Sequence, residues 1–313
     1  FTERTYSPTA LQTYAQCPYR FLLYAVHKLA VRQVPAPIDE IDPLERGSLV
    51  HEVQFRLLTR LREADALPVR AAGLADAQSL MEGVLAEVAA EYHDRLAPAI
   101  ERVWQDGVDG IRADLREWLR RASEDESGWV PWAFELAFGL PEGADRDARS
   151  VSEGVALDCG IRLRGAIDLV ERRADGTLRV TDHKTGRKVA ERHQVIGGGE
   201  HLQPVLYAEA ASRLFADQGP VISGRLYYCT ARGEFADHEV PFDEQARLAA
   251  RRVADTIAQA MARQFLPAAP RQGRWSACEF CDYRVVCGPD EAERVRRKPP
   301  EELKPLATLR EMP

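Results

Sequence analysis

Arg179-Val180-Thr181-Asp182-His183-Lys184-Thr185-Gly186 reads as the end of an apolar strand that delivers an acid and an ammonium group together. Side chains alternate along a strand, so Asp182 and Lys184, two residues apart, point to the same face. Just upstream, Arg164-Gly165-Ala166-Ile167-Asp168 also carries an acid at the end of a strand-like run. Two carboxylates converging beside a lysine offer oxygen ligands to a hard divalent cation and place a second positive charge next to it. That combination suits the hydrolysis of phosphodiesters.

The charge balance around this stretch differs from that of the chain. Arg179, Lys184, Arg187, Lys188 and Arg192 stand against Asp182 and Glu191, whereas the 313 residues together carry a formal charge of −7. A net acidic chain does not hold nucleic acid by bulk electrostatics, but a local basic channel remains compatible with it. With 45% apolar residues the chain can bury one large core or two smaller ones. No apolar run is long enough to span a bilayer, and Phe1-Thr2-Glu3-Arg4 is not the start of a signal peptide. The expected setting is cytoplasmic, with no membrane partner; the opening Phe1 suggests a piece of something longer.

Upstream of the focal strand the pattern is helical. Ser7-Pro8 caps a helix interrupted at Cys17-Pro18, and a proline-bearing connection follows over 35–46. Gly47 opens a second helix whose Leu49, Val50, Val53, Leu57, Leu58 and Leu61 form an apolar face. His51 lies beside that face, either as a satisfied core histidine or as a metal ligand delivered from a helix. Residues 74–121 read as a helical insert with Trp104 and Trp118 as core residues. From Trp132 the period changes to two, with strands expected over 132–140, 151–157, 161–172 and 178–183. Glu135 in the first of these is either an exposed strand residue or a third acid near the metal.

Downstream, Gly197-Gly198-Gly199 is expected to be a flexible hinge, since no phosphate-binding fingerprint surrounds it. A helix over 201–215 places Gln203 and Tyr207 on one face. Strands over 221–230 and up to Val240 and a helix over 244–265 complete the pattern, and residues 296–313 are expected to be loosely held.

Of six cysteines, Cys159 and Cys229 sit in apolar strands and read as buried thiols. Cys278-x2-Cys281-x5-Cys287, flanked by Trp275 and Gly288-Pro289, makes a tight loop that needs a fourth ligand, and Cys17 is the remaining candidate. Zinc and iron–sulfur both accept four thiolates, and the spacing does not separate them. Either would join position 17 to position 278 as a staple, worth on the order of 4–5 kcal/mol in the loop-entropy picture.

Taken in order, these segments resemble the PD-(D/E)XK nuclease superfamily, in its RecB-like branch with an iron–sulfur cluster, as in AddB-type nuclease domains. The residues that carry the resemblance are Ser7 to Phe21 with Cys17, Gly47-x3-His51, Gly165-x2-Asp168, Asp182-x-Lys184-Thr185-Gly186, Gln203-x3-Tyr207 and the three-cysteine tail. The resemblance implies an α/β, restriction-endonuclease-like fold: a mixed central sheet over about 132–240, flanked by helices. The insert at 74–121 and a staple at 275–289 with Cys17 would lie within one domain over 1–295. It implies a structural 4Fe–4S cluster on Cys17, Cys278, Cys281 and Cys287, with Zn²⁺ the alternative occupant. It also implies catalytic Mg²⁺ or Mn²⁺ held by His51, Asp168, Asp182 and the backbone carbonyl of His183. Lys184 would be the catalytic lysine, Gln203 and Tyr207 would flank the site, and Arg187, Lys188 and Arg192 would follow the DNA backbone.

The implied activity is metal-dependent DNA hydrolysis, as an exonuclease in repair or recombination, on single strands or duplex ends and with a helicase domain or subunit as partner. The alternatives are a catalytically silent DNA-binding scaffold and a zinc-stapled hydrolase of another phosphoester. Two positions depart from the family pattern: Leu169 stands where arginine often follows the first aspartate, and His183 where tyrosine or phenylalanine is usual.

Overall fold

The computed structural model describes residues 4–30, 40–143, 145–188, 190–191, 194–272, 277–279 and 281–313. Helix α1 (Pro8–Gln16) begins where the Ser7 side chain accepts from Ala10 N, with Pro8 in the first turn. It stops at Cys17, whose backbone is extended, and a short helix Pro18–Phe21 follows. Helix α2 spans Pro43–Glu63 and so starts four residues before Gly47. The reason is the cap: Asp42 accepts from Leu44 N and Glu45 N, and Pro43 fits the first turn.

Helices α3 (Leu74–Leu96) and α4 (Glu101–Ser123) pack with α2 into a helical lobe. Its core joins Leu49, Val53 and Leu57 of α2 to Met81, Val84, Leu85, Ile111 and Leu115, and it includes Trp104 and Trp118, both buried. The two tryptophans are core residues, as the pattern indicated. Among the described residues no helix is long and apolar enough to cross a membrane.

Five strands form the main sheet: β1 (Val130–Phe138), β2 (Gly165–Arg172), β3 (Leu178–Lys184), β4 (Val221–Tyr228) and β5 (Asp237–Pro241). They lie in that order, and all neighbours are antiparallel except β3 and β4. The parallel pair requires a crossover, and helix α5 (Gln203–Leu214) supplies it. With α6 (Glu244–Ala262), α5 covers the sheet face opposite the helical lobe, and Leu206, Ala210, Val253 and Ile257 share a core with Val170, Val180 and Val240. A mixed sheet flanked by helices is the architecture expected.

Residues 151–157 do not form the continuous strand expected of them. Asp147 Oδ2 accepts from Phe134 N and Ser150 Oγ from Ala137 N, and Val151 makes a single backbone bridge to Phe138 in place of a continued ladder. Further on, Val155–Ala156 pairs with Arg162–Leu163 in a small sheet completed by Thr5–Tyr6.

Two further expectations are corrected. Gly197-Gly198-Gly199 is buried rather than a free hinge, and all three residues have positive φ. A Cβ on Gly199 would lie 2.4 Å from Ala15 Cβ, so this glycine is what lets the turn lie against α1. The segment 296–313 is not loosely held. After the short helix α7 (Glu291–Arg296), helix α8 (Pro300–Arg310) buries Leu306 and Leu309 in the sheet core. Arg310 donates to the carbonyls of Ala15, Gln16 and Ala269, and Pro313 O accepts from Ile196 N. The leucines, three apart, form a short apolar stripe, and the guanidinium satisfies carbonyls that the end of α1 leaves open.

Candidate active site

The acids gather where the sheet comes apart. The β2–β3 ladder ends at Leu169↔Thr181, so Asp168 and Asp182 are the first residues beyond it. Asp168 Oδ2 accepts from His183 N at 2.6 Å, a side-chain substitute for the ladder bond that ends there. On the other side of β2, the pairs Phe134↔Leu169 and Leu136↔Ile167 bracket Glu135 opposite Asp168. Glu135 has φ +47, rare for a residue with a Cβ. Alternation breaks with it: Phe134 and Leu169 join the helical-lobe core, whereas Leu136 and Ile167 join the sheet core. The break turns the Glu135 and Asp168 carboxylates into the gap between the two cores.

Helix α2 closes that gap with His51. Its Nδ1 lies 3.5 Å from Asp168 Oδ1 and 3.7 Å from Glu135 Oε1. One donor atom from each of His51, Glu135 and Asp168 falls within 4.8 Å of the other two. His51 is thus at the site and not a core histidine. Asp182 adjoins this trio without being part of it. Lys184 Nζ lies 2.5 Å from Asp182 Oδ2 and donates to Gln203 Oε1 at 2.7 Å, while Gln203 Nε2 donates to Asp182 Oδ1 at 2.7 Å. These three residues close a ring that fixes the ammonium group beside the acids.

Burial pushes Asp182 up to about 6; Lys184 opposes that rise and Asp168 adds to it. Burial would also raise Asp168, but His51 and Lys184 hold it down at about 2. Glu135 is raised, chiefly by burial. Burial opposes a proton on His51, yet Asp168 and Glu135 outweigh it and lift its pKa well above the usual imidazole value. Three carboxylates around one lysine leave His51 in strongly negative surroundings. Those surroundings, with one imidazole nitrogen and carboxylate oxygens as donors, fit a divalent cation such as Mg²⁺ or Mn²⁺. The site opens into a cleft of about 580 Å³ lined by Gly47, Ser48, Glu52, Tyr92 and Thr185 along with His51, Glu135 and Lys184.

Tyr207 lies one helical turn from Gln203 on α5, and burial, with Asp182 and Asp168 nearby, raises its pKa well above the phenol value. Its ring occupies the space above Gly165: a Cβ there would lie 2.9 Å from Tyr207 Cε1. The His183 ring is buried, with Trp118 and Tyr227 at 6.1 and 6.0 Å between ring centroids and His51 at 6.3 Å. Burial lowers its pKa to about 4, so the ring is neutral at pH 7. This aromatic setting accounts for an aromatic residue at the position, and Leu169 is likewise buried in the helical-lobe core. Arg187 and Lys188 are exposed on the loop after β3, and Arg192 lies outside the described residues.

The cysteines gather at a second place. Cys17, Cys278, Cys281 and Cys287 line one cavity with Tyr19, Arg20 and Pro270. None of the four is in a disulfide, and burial raises the pKa of Cys17. Cys17 reaches the cavity because α1 ends in an extended residue, and Tyr19 N donating to Pro267 O ties that turn to the C-terminal half. The four thiols line one cavity as a soft-donor set of the kind iron–sulfur clusters and zinc take, with no three of their sulfurs mutually within 4.8 Å. Trp275 lies outside the described residues, Cys229 is buried as expected, and Cys159 is only half-buried.

Glu135 is the residue that sequence reasoning undervalues. An exposed strand position is the default reading, yet its neighbours Ala133, Phe134, Leu136, Ala137 and Phe138 are all buried. An acid inside so apolar a run is the available signal.

A model of the PD-(D/E)XK nuclease superfamily matches residues 5–288. One subunit of an ATP-dependent helicase/deoxyribonuclease from Lacticaseibacillus casei is 27% identical over 232 residues, covering 71% of this chain and 19% of that protein. Its namesake from Lacticaseibacillus paracasei gives the same figures. The chain thus spans about a fifth of the length of these relatives.

Proposed function

The chain belongs to the PD-(D/E)XK nuclease superfamily, and from that premise we propose that it is a Mg²⁺- or Mn²⁺-dependent nuclease that hydrolyses DNA phosphodiesters. In this reading it acts as an exonuclease at DNA ends or on single strands, in repair or recombination, alongside a helicase domain or subunit. The observation that carries the reading is the convergence of His51, Glu135 and Asp168 beside the intact Asp182–Lys184–Gln203 ring. The helicase partner is supported by the names of the two relatives.

His51, Glu135 and Asp168 would hold the cation, with Asp182 and the His183 carbonyl as further ligands. When bound, the ion supplies Lewis-acid chemistry, acidifying water and offsetting charge on the phosphoryl oxygens. Lys184 presents its ammonium group where negative charge develops on phosphorus, and the ring with Asp182 and Gln203 holds it in place without reorganisation. Gln203 keeps Lys184 and Asp182 in register, and Tyr207 closes the wall behind them. Arg187, Lys188 and Arg192 contact backbone phosphates, which makes binding salt-dependent. The four cysteines hold a 4Fe–4S cluster in a structural role.

Asp182→Ala and Lys184→Ala are each expected to abolish cleavage of labelled single- and double-stranded DNA with Mg²⁺ or Mn²⁺, while DNA binding persists. Full metal-dependent cutting by both variants overturns the assignment, and a wild-type protein that binds DNA without cutting it establishes the scaffold alternative.

A further inference from the structure

Arg294 touches one of the four cysteine sulfurs directly. After Cys287 the chain turns at Gly288 (φ +80) and Asp290 (φ +60) and enters α7, which brings Arg294 back over the loop. The Arg294 guanidinium donates from Nη2 to Cys287 Sγ at 3.3 Å and to Gly288 O at 3.1 Å, and from Nη1 to Cys287 O. Two backbone carbonyls therefore hold it against the thiol. Arg284, which also lines the cysteine cavity, faces Glu291 at 3.6 Å, and Arg20 donates to Gln16. Arg294 differs from both in making its contact with the sulfur itself.

We propose that Arg294 is a positioning residue for Cys287, giving the iron–sulfur cluster a charge-assisted N–H···S bond that sets its reduction potential and shields that corner from metal loss. The proposal rests on the cluster reading of the four cysteines. A fixed positive charge beside the sulfur favours the state of the cluster that carries the extra electron, so it raises the potential. It also braces the Cys287–Gly288 turn, and groups hydrogen-bonded to ligands in this way govern metal retention.

The test uses the whole chain, purified without oxygen, as wild type, Arg294→Gln and Arg294→Lys. A redox titration followed by visible absorption and electron paramagnetic resonance gives the potential, and iron release to a chelator gives retention. Arg294→Gln is expected to have a more negative potential and to release iron roughly tenfold faster or more. Wild-type potential and release in an Arg294→Gln protein with full iron content overturn the proposal. If that variant assembles no cluster, Arg294→Lys, which keeps a cation but loses the fork, decides. It is expected to show a shifted potential and faster release, and wild-type values overturn the proposal.

A colourless, zinc-bearing wild type refutes the cluster but leaves the contact testable. Arg294→Gln should then release zinc roughly tenfold faster, and equal rates overturn the contact. A wild type with neither metal overturns both.

Discussion

At the scale of single residues, Glu135 carries backbone strain beside Asp168. A positive φ at a residue with a Cβ costs of order 1–3 kcal/mol and persists only where the surroundings over-determine it. Here the pairs on either side of it, Phe134↔Leu169 and Leu136↔Ile167, hold it across from Asp168. If Glu135 is a ligand, Glu135→Gln should lower single-turnover cleavage roughly tenfold or more, with partial recovery at high Mg²⁺. Wild-type rates and metal dependence would remove it from the ligand set. A second residue-scale prediction concerns Glu171, buried on β2 with Arg179 bidentate at 2.8 Å, Arg225 at 3.2 Å and Thr181 Oγ1 donating. Burial would raise its pKa, but Arg225 and Arg179 hold it at about 2, below its ordinary 4.5. A depressed carboxylate stabilises the fold fully above the unfolded value and loses that contribution as pH falls from about 4.5 toward 2. Glu171→Gln should therefore cost about 3 kcal/mol at pH 7. In urea unfolding the gap to wild type should narrow across that acid window, and a gap independent of pH would contradict the assignment.

Among the elements, the placing of α5 decides whether Gln203 reaches the site. A Cβ on Gly224 of β4 would lie 2.0 Å from Pro204 O, so this glycine lets the first turn of α5 rest on the parallel strand pair. Gly224→Ala should push α5 outward, costing about 1–3 kcal/mol as an overpacked core substitution. It should also lower cleavage by loosening the Gln203 contacts to Lys184 and Asp182. Thermal unfolding together with a cleavage assay checks both, and an unchanged midpoint would show that α5 moves freely. Elements with strong local signals were legible: the Ser7 cap and the apolar face of α2 lie where the pattern put them. Residues 151–157 were not, because their apolar alternation resembles a strand, whereas a single bridge at Val151 meets β1 and the side chains of Asp147 and Ser150 just before it take Phe134 N and Ala137 N.

For the whole molecule, the N- and C-terminal segments meet at the cysteine cavity and along α8. Arg310 bonds to three carbonyls from two distant segments, and burial lowers its pKa to about 10. Arg310→Ala leaves those carbonyls without their charged partner and should cost on the order of 3 kcal/mol, read from urea denaturation. A change under about 0.5 kcal/mol, the usual range for surface substitutions, would show that α8 merely rests on the surface. The charged, proline-bearing tail gave no sign of this docking, since two leucines and one arginine make too short a pattern to predict a helix.

Local chemistry determined much of this protein directly from its residues. It indicated the strand that carries Asp182 and Lys184, the helix face beside His51, the Gln203–Tyr207 pair and the soft-donor character of the cysteine loop. Each depends on spacings of a few residues, which period, capping and ligand chemistry make legible. Tertiary structure alone decided that Glu135 joins His51 and Asp168, that Asp182 is held in a ring with Lys184 and Gln203, and that the glycine run and the C-terminal helix are packed. Those outcomes depend on where strands part and which distant backbone comes within van der Waals contact, and no short window of sequence encodes either.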